Sequence, residues 1–586
     1  MQIFSEKVSR FSQCYAIKHK IEEFCIVFVL HNNNISMQLT YIIKKKDLIA
    51  KRLRREKATQ RKNKNQQLAK KSSDIIEKKE PEYTLPAGFS DDVMADVQRL
   101  QPDAISMEVL RRRDMRDVLT FTIDPDEAKD FDDALSFQIL DTGNYQIGIH
   151  IADVTHYVQE QTALDDEAYH RGTSIYLVDR VIPMLPERLS NELCSLRPHE
   201  DKLCMSVVVE MDPNAKVIRH KICRTVICSD YRLTYRQAQN ILDSTTTQAV
   251  LGSNDKNLSE ALHVLDTLAK QLRANRFRQG AINFESPEVH FRLDDQGEPT
   301  DIFFHNSLDT NHLIEEFMLL ANRIVAAEIG KKKKDKEGDA KEPSKPFVYR
   351  VHDNPDPEKI GRLSTFIKRF GLHLKTSSNS KTTHKHINAL LDDCQGRACQ
   401  SLVETLTIRA MAKAVYSTDN IGHYGLAFPY YTHFTSPIRR YPDMMVHRLV
   451  SRYLLQSKAP CRHEREELEE ACVHCSECEL AAQMAERDSV KEMHARWINN
   501  HLGEEFDAII SGVTEFGLFV QLTDTMTEGL VPIRTIERND YMQFDEENYC
   551  LIAARSGKTY TLSDPVRVKV TKVDVERKLI DFALVE

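Results

Sequence analysis

The sequence TIDPDEAKDFDDAL at residues 122–135 places Asp124, Asp130, Asp132 and Asp133 within ten positions. Carboxylates this close raise each other's pKa, so they remain ionised together only when a cation neutralises them. Mg²⁺ suits such a cluster because it prefers oxygen ligands, needs few protein carboxylates and leaves positions for water and substrate phosphate. The motif therefore predicts a divalent-cation site that acts on phosphate groups.

Two other structures are common for an aspartate cluster, a solvated surface turn and a calcium-binding loop. The EF-hand calcium loop is excluded by spacing, because the sixth position from Asp124 is Lys129 rather than glycine and the twelfth is Leu135 rather than glutamate. The flanking runs VLTFTI (118–123) and ALSFQI (134–139) are apolar and predict two strands. Carboxylates held between two buried strands need partners, which favours a metal site over a solvated turn.

Further blocks along the chain, together with residues 122–135, resemble the signature of the ribonuclease R and ribonuclease II family, and ribonuclease R more closely. The blocks, in the order found in the family, are IGIHIADVTHYV (147–158), GTSIYLVDRVIPMLPERLSNELCSLRP (172–198), HLIEEFMLLAN (312–322), HYGLAFPYYTHFTSPIRRYPDMMVHR (423–448) and QMAERD (483–488). The resemblance covers residues 84–586 and implies a processive exoribonuclease that digests single-stranded RNA from its 3′ end to nucleoside 5′-monophosphates in RNA turnover.

The resemblance implies an α+β fold, with a mixed α/β RNB catalytic body and a carboxyl-terminal all-β OB-fold RNA-binding domain. We expect an RNB catalytic domain at 84–460, a charged helix at 461–502 that completes the catalytic body, and the OB fold at 503–586. Residues 1–83 are expected to form a basic extension, disordered or partly helical. The family carries cold-shock domains at this position, but their glycine- and aromatic-rich strands are absent from residues 1–83.

The family motifs also imply the catalytic groups, which are Asp132 and Arg439, the latter in TSPIRRYPD. The implied metal ligands are Asp124, Asp130, Asp132 and Asp133. Two cations would activate water and stabilise the leaving 3′ oxygen, while Arg439 neutralises charge on the scissile phosphate. The role of the neighbouring Arg440 stays open. The implied cofactor is Mg²⁺, with Mn²⁺ as an alternative, and no organic cofactor is expected.

The RNA-binding residues implied by the resemblance are Tyr176, Tyr235, Phe284, Glu315, Glu486, Phe516 and Phe519. Tyr176 and Phe284 match the clamp on the terminal bases, where stacking holds any base at roughly 1–3 kcal/mol each. The two glutamates match positions at which a carboxylate accepts from a ribose 2′-hydroxyl and so favours RNA over DNA. Glu316 is a near-equal alternative to Glu315.

Phe516 and Phe519 belong to GVTEFGLFVQL (512–522), whose alternating pattern predicts a strand of the OB fold. If both rings face outward they form a stacking surface for bases. The alternative is that one of the two fills the interior of the barrel.

The carboxyl-terminal helix expected near 461–500 carries Cys472, Cys475 and Cys478, with His474 nearby. Spacings of three place the sulfur atoms progressively around one helix, about 60° apart. A tetrahedral zinc site needs ligands from more than one segment. We therefore expect cysteines in the core or at its boundary, with zinc the minor alternative.

Composition fits a cytoplasmic, multidomain protein. The 586 residues exceed one core of about 250–300, and the 13 cysteines show no disulfide spacing. The apolar run FCIVFVL (24–30) is too short to span a membrane.

The net charge of the chain is −8, although residues 44–79 hold 15 Lys/Arg against four Asp/Glu. The remaining chain is therefore acidic, which fits a narrow RNA channel better than an open nucleic-acid surface.

We expect a monomer that binds the 3′ end of single-stranded RNA and does not associate with membranes. One rival hypothesis is a catalytically weak RNA-binding relative, suggested by the altered amino-terminal region. Another is an endonuclease or a DNA-directed enzyme that uses the same metals. The presence of all four aspartates and of Arg439 argues against lost catalysis, and product size separates an exonuclease from an endonuclease.

Overall fold

The structure, a computed structural model, describes residues 85–100, 104–244, 247–252, 255–282, 288–331, 345–375, 380–397, 399–460, 463–536, 541–545 and 550–585. The basic extension expected at 1–83 lies outside these ranges, as does the predicted clamp residue Phe284. Side chains of the described residues form two large buried clusters, one in the body and one that joins four helices to the carboxyl-terminal barrel.

A seven-stranded sheet forms the centre of the body. The strands of the body are β1 (Arg113–Asp114), β2 (Thr120–Asp124), β3 (Asp133–Ile139), β4 (Tyr145–Ala152), β5 (Ile175–Tyr176), β6 (Val181–Ile182), β7 (Asp201–Met211), β8 (Val217–Cys228), β9 (Tyr231–Thr234), β10 (Glu288–Leu293), β11 (Pro299–His305), β12 (Tyr349–Val351) and β13 (Val415–Ser417). The order in the sheet is β1–β8–β7–β4–β3–β2–β9. Neighbouring strands are antiparallel except the outer pairs, β1 with β8 and β2 with β9, which are parallel.

The register of the sheet brings the ends of three strands together. β2 ends at Asp124 and its antiparallel neighbour β3 begins at Asp133, so residues 125–132 cross one end of the sheet. β9 runs parallel to β2 and places Thr234 opposite Asp124. All four aspartates therefore lie at the same end of the sheet.

Helices cover the sheet and connect the body to the barrel. They are α1 (Asp91–Arg99), α2 (Ala104–Val109), α3 (Val154–Tyr157), α4 (Ala163–Arg171), α5 (Tyr235–Ser244), α6 (Gln248–Leu251), α7 (Lys256–Gln279), α8 (Asp309–Gly330), α9 (Pro357–Phe366), α10 (Ser380–Cys394), α11 (Gln400–Ala410), α12 (Tyr441–Val450), α13 (Glu464–Asn499) and α14 (Ile533–Ile536). α8 contains the block HLIEEFMLLAN and buries Leu313 and Phe317 in the body core. Apolar residues at this helical spacing form one buried face.

The 36-residue helix α13 carries the cysteines considered for zinc. Cys472 and Cys475 are buried, and Cys478 Sγ lies 3.4 Å from His474 Nε2. No set of three or more Cys, His, Asp or Glu side chains within the described ranges is arranged to hold a metal ion. The two buried cysteines are core residues, as expected from their spacing on one helix.

The carboxyl-terminal strands are β14 (Glu505–Thr514), β15 (Gly517–Leu522), β16 (Glu528–Pro532), β17 (Met542–Asp545), β18 (Cys550–Ala553), β19 (Thr559–Thr561), β20 (Pro565–Asp574) and β21 (Leu579–Leu584). Five of them close into a barrel in the order β14–β15–β16–β21–β20, the arrangement of an OB fold. The predicted α+β class, with a mixed body and an all-β carboxyl-terminal domain, is confirmed. In the described part of the chain, no helix is both long and apolar enough to cross a membrane.

A ladder of buried polar side chains crosses four strands of the sheet. His150 lies 2.8 Å from Ser136 Oγ and 2.8 Å from Ser206 Oγ, and Ser206 Oγ lies 2.6 Å from Thr225 Oγ1. Burial lowers the pKa of His150 to about 3, so the ring is neutral and donates from one nitrogen while accepting at the other. Gly148 leaves space for this ring, since a Cβ there would lie 2.4 Å from both His150 Nε2 and Ser136 Oγ.

We predict that Gly148→Ala destabilises the protein by about 1–3 kcal/mol, because the added methyl displaces buried, hydrogen-bonded side chains. Urea unfolding followed by circular dichroism measures the change. Gly361→Ala in α9 is the matched control, because its Cβ would meet no atom within 4 Å and alanine favours a helix by roughly 0.5–1 kcal/mol. Equal stability of the Gly148 variant and the wild type would contradict the assigned packing.

Candidate active site at the end of the sheet

Two short segments carry the aspartates, and other parts of the body fix the loop between them. Arg232 Nη2 donates to the carbonyl oxygens of Pro125 at 2.6 Å and Asp126 at 2.9 Å. At the other end of the loop, Ser195 Oγ donates to Lys129 O at 2.6 Å and accepts from Phe131 N at 3.1 Å. These contacts hold the backbone so that the aspartates keep one arrangement.

Sequence reasoning did not identify Arg232 or Ser195. Ser195 lies in the block at 172–198, and Arg232 lies three residues before Tyr235. The sequence shows only that each residue is polar and lies in or near a recognised motif. Their backbone partners are 64 residues away for Ser195 and 107 residues away for Arg232. Contacts of this kind leave no periodic pattern in the sequence.

The loop before α12 brings arginine to the aspartates. Ile438 N donates to Asp132 Oδ1 at 2.9 Å, and Arg439 Nε lies 3.5 Å from Asp132 Oδ2. The Arg439 side chain is 41% exposed, whereas that of Arg440 is 18% exposed and pairs with Asp443 at 2.8 Å. The structure therefore separates the two arginines: Arg439 borders the aspartate site, and Arg440 is an internal ion-pair partner.

Burial raises the pKa of every aspartate in the cluster. It raises the pKa of Asp124 to about 6. Burial and the charge on Asp124 raise the pKa of Asp133 to about 7, against the opposing charge of Arg439. Burial also raises the pKa of Asp130, and that of Asp132 well above its ordinary range. The folded site therefore disfavours the ionised form of all four carboxylates, and the nearby arginines offset this only in part.

The donor set fits a divalent cation. Within the described residues no three acidic, histidine or cysteine side chains are arranged to hold a metal ion together, but Mg²⁺ is bound by as few as one or two carboxylates, with water and phosphate as the other ligands. Asp124 Oδ2 is buried and has no hydrogen-bond partner. A cation beside Asp124 and Asp133 would satisfy that oxygen and remove the mutual repulsion of the two carboxylates.

Tyr176, predicted to stack on a base, lies next to the predicted metal ligand Asp130 and the predicted ribose ligand Glu486. The Tyr176 hydroxyl lies 3.4 Å from Asp130 Oδ2, and Tyr176 N donates to Glu486 Oε1 at 3.1 Å. Tyr176 is 39% exposed. Burial raises the pKa of Glu486, which the bond from Tyr176 N and the charge of Arg439 oppose. α13 thus contributes Glu486 to a site otherwise built from the body.

Tyr235 is the first residue of α5 and directly follows Thr234, the partner of Asp124 in the sheet. Burial raises its pKa, and the charges of Asp133 and Asp124 add to the effect. Tyr235 therefore lies close enough to Asp133 and Asp124 to feel their charge.

The structure distinguishes Glu315 from Glu316 on α8. Arg276 Nη2 pairs with Glu315 Oε1 at 3.1 Å and with Glu316 Oε1 at 2.5 Å. The Glu316 side chain is 4% exposed and that of Glu315 is 44% exposed. Glu316 is therefore a core ion-pair partner, and Glu315 is the glutamate that a ligand can reach.

Phe516 and Phe519 lie in the barrel, away from the aspartates in sequence. The prediction that both belong to one strand is wrong for Phe516, which lies in the tight turn between β14 and β15. The turn forms because Thr514 pairs with Gly517, where a Cβ would meet Val531 O at 2.3 Å. Phe516 is 52% exposed and meets Phe519 edge to face, with ring centroids 6.0 Å apart. Phe519 is half-buried on β15, so neither ring fills the barrel.

The chain is similar to known proteins in two regions, which cover the body and the barrel. The RNB domain family matches residues 112–456, and the S1 RNA binding domain family matches residues 501–584. Ribonuclease R of Aquifex aeolicus (strain VF5) is 40% identical over 513 residues, which are 88% of this chain and 70% of that protein. Ribonuclease R of Thermotoga maritima is 40% identical over 506 residues, which are 86% of this chain and 69% of that protein.

Among solved structures, one similar to this chain is Mycoplasma genitalium RNase R in complex with ribose methylated single-stranded RNA. It is 27% identical, with a TM-score of 0.78, and the match covers 86% of this chain and 76% of that chain. The similarity therefore extends over the sheet, the helices and the barrel.

We predict that Mg²⁺ stabilises the protein more at about pH 8 than at about pH 5. The pKa values of Asp124 and Asp133, about 6 and about 7, exceed the ~3.9 of an unfolded aspartate. Protonation thus favours the folded state, and without a cation stability falls as pH rises from about 4 to about 7. Mg²⁺ binds the ionised form and offsets this loss.

Thermal unfolding in chelator and in Mg²⁺ at the two pH values checks this expectation. Asp133→Asn is the matched variant, because it removes the charge with little change in volume. It should be the more stable protein in chelator at the higher pH and should gain less from Mg²⁺. An equal Mg²⁺-induced shift at both pH values would contradict the assignment.

Proposed function

The chain belongs to the RNB-domain family that includes ribonuclease R, and on that premise we propose that it is a processive 3′-to-5′ exoribonuclease. It hydrolyses single-stranded RNA to nucleoside 5′-monophosphates in RNA decay. The observation that carries the proposal is the half-exposed Arg439 held beside Asp132, within a cluster of four buried or half-buried aspartates. An arginine and acidic metal ligands are what phosphodiester hydrolysis requires.

Asp124, Asp130, Asp132 and Asp133 are the residues that would hold the cations, with Mg²⁺ preferred and Mn²⁺ as the alternative. When bound, a pair of such cations supplies a nucleophilic water and stabilises both oxygens of an in-line displacement. Arg439 projects its guanidinium from the loop and stabilises the negative charge that develops on the phosphoryl oxygens. Asp132 orients that guanidinium and the backbone that carries it.

The RNA 3′ end is held by stacking and by carboxylates. The exposed ring of Tyr176, next to Asp130, stacks on a terminal base of the RNA. The backbone N–H of Tyr176 holds Glu486 beside that base, where the Glu486 carboxylate accepts from a ribose hydroxyl. Tyr235, beside the aspartates, and the half-exposed Glu315 on α8 contact the RNA as well. Phe516 and Phe519 supply a further stacking surface on the barrel. The clamp role of Phe284, the monomeric state and the cytoplasmic location stay predictions from the sequence.

A time course on 5′-labelled single-stranded RNA with Mg²⁺, resolved to single nucleotides, tests the proposal. The same RNA with a blocked 3′ end and a matching DNA are run beside it. Steady shortening of the free RNA to a small limit product, with both controls spared, is the expected result. Internal fragments at the earliest times would indicate an endonuclease, and binding without shortening would indicate a catalytically weak RNA-binding relative.

We predict that Asp132→Asn lowers the rate of hydrolysis at least about a hundredfold, because it removes the charge that orients Arg439 and contributes to cation binding. The amide oxygen still accepts from Ile438 N, so the loop keeps its backbone contact. The dissociation constant for single-stranded RNA, measured by fluorescence anisotropy, should stay within about twofold of wild type. Equal losses in the hydrolysis rate and in the affinity for RNA would show that Asp132 contributes to RNA binding instead of to catalysis.

Tyr176→Ala is expected to weaken the grip on short RNA ends by about 1–3 kcal/mol and to lengthen the final product. Tyr176→Phe is the matched control, because it keeps the stacking ring and removes only the hydroxyl that reaches Asp130. Its product ladder should resemble that of wild type. An unaltered ladder in the alanine variant would remove Tyr176 from the clamp.

A further inference from the structure

The turn that carries Arg439 is closed by a single buried serine. Ser436 is 5% exposed, and three of its groups are engaged. Its N–H donates to Asp443 Oδ1 at 2.7 Å, its carbonyl accepts from Arg440 N at 3.0 Å, and its hydroxyl accepts from Arg439 Nη2 at 3.1 Å. Ser436 therefore contacts both the interior of the body and the guanidinium at the site.

Asp443 anchors this turn from inside the protein. It is the third residue of α12 and is 0% exposed. Its Oδ1 accepts from Ser436 N and also from Arg440 Nη2 at 2.8 Å. A buried carboxylate is stable only when it is paired, and Arg440 supplies the pairing charge. Arg440 and Asp443 thus form an ion pair of zero net charge, and its carboxylate fixes the backbone of Ser436.

The Arg439 side chain has few other restraints. Within the described residues, the bond to Ser436 Oγ is the one hydrogen bond that its guanidinium makes, since Asp132 Oδ2 is 3.5 Å from Nε. A long, half-exposed side chain loses rotamer freedom when it is fixed. A preformed hydrogen bond lowers that cost at the moment of reaction, which is how positioning raises a rate.

We propose that Ser436 and Asp443 are positioning residues for the reaction: Asp443 fixes Ser436, and the Ser436 hydroxyl directs the Arg439 guanidinium toward the phosphate that lies on the aspartates. The chain of contacts runs from Asp443 through Ser436 to Arg439 and ends at Asp132. The inference rests on the proposed exoribonuclease function, and neither residue touches the substrate.

Ser436→Ala in the full chain tests the proposal. We expect kcat for single-stranded RNA to fall about 10- to 100-fold, with KM and the dissociation constant of a non-hydrolysed RNA unchanged. In an Arg439→Ala background, the same substitution should change kcat by less than about twofold, because a residue that acts through Arg439 has no further effect once the guanidinium is gone. Asp443→Asn should give a similar loss of kcat that does not multiply with that of Ser436→Ala.

Ser206→Ala is the matched control, because Ser206 is also buried and hydrogen-bonded but belongs to the ladder with His150. It should lower the unfolding temperature at least as much as Ser436→Ala and leave kcat within about twofold. A merely structural role for Ser436 would produce parallel losses in the two variants or an effect that persists without Arg439, and either result overturns the proposal. Wild-type protein that fails to shorten RNA overturns the proposed function as well, whereas active wild type with an unchanged Ser436→Ala kcat overturns only the positioning role.

Discussion

The hydrogen bond from Ile438 N to Asp132 Oδ1 joins segments 306 residues apart, and the geometry of the site depends on it. Asp132 is almost completely buried, so its carboxylate is stable only with partners that repay its lost hydration. The partners are one backbone N–H and the guanidinium of Arg439. Because both come from the turn before α12, satisfying the buried charge also brings the arginine to the aspartate cluster.

The other contacts near this hydrogen bond fix the backbone of the two loops and do not pair with the aspartate carboxylates. Arg232 and Ser195 hold the two ends of the aspartate loop through carbonyl and N–H groups, while Asp443 holds the arginine turn through Ser436 N. Fixing the backbone leaves the carboxylates of Asp124 and Asp133 free to repel each other. Burial raises the pKa of both carboxylates, and the charge on Asp124 adds to the effect at Asp133. A cation bound beside them would offset both effects.

Sequence reasoning was most successful where a periodic pattern carries the information. The apolar runs beside the aspartates form β2 and β3, the block HLIEEFMLLAN forms part of α8, and the alternating pattern near 512–522 belongs to the barrel. Tertiary contacts without a period were not predictable. The choice of Glu315 over Glu316 depends on Arg276, 39 residues away, and the position of Phe516 depends on the register of one tight turn.

The two neighbouring arginines show why local sequence underdetermines chemistry. Arg440 is half-buried and pairs at 2.8 Å with the buried carboxylate of Asp443, so its charge is balanced by a group of the protein. Arg439 is hydrogen-bonded to a neutral hydroxyl, at a looser 3.5 Å from Asp132. A hydroxyl orients a guanidinium without neutralising it, which leaves its charge available to an incoming phosphate. The pair of Arg440 and Asp443 thus orders the turn without using Arg439, whose half-exposed guanidinium keeps N–H donors for the phosphate charge that the proposed reaction develops.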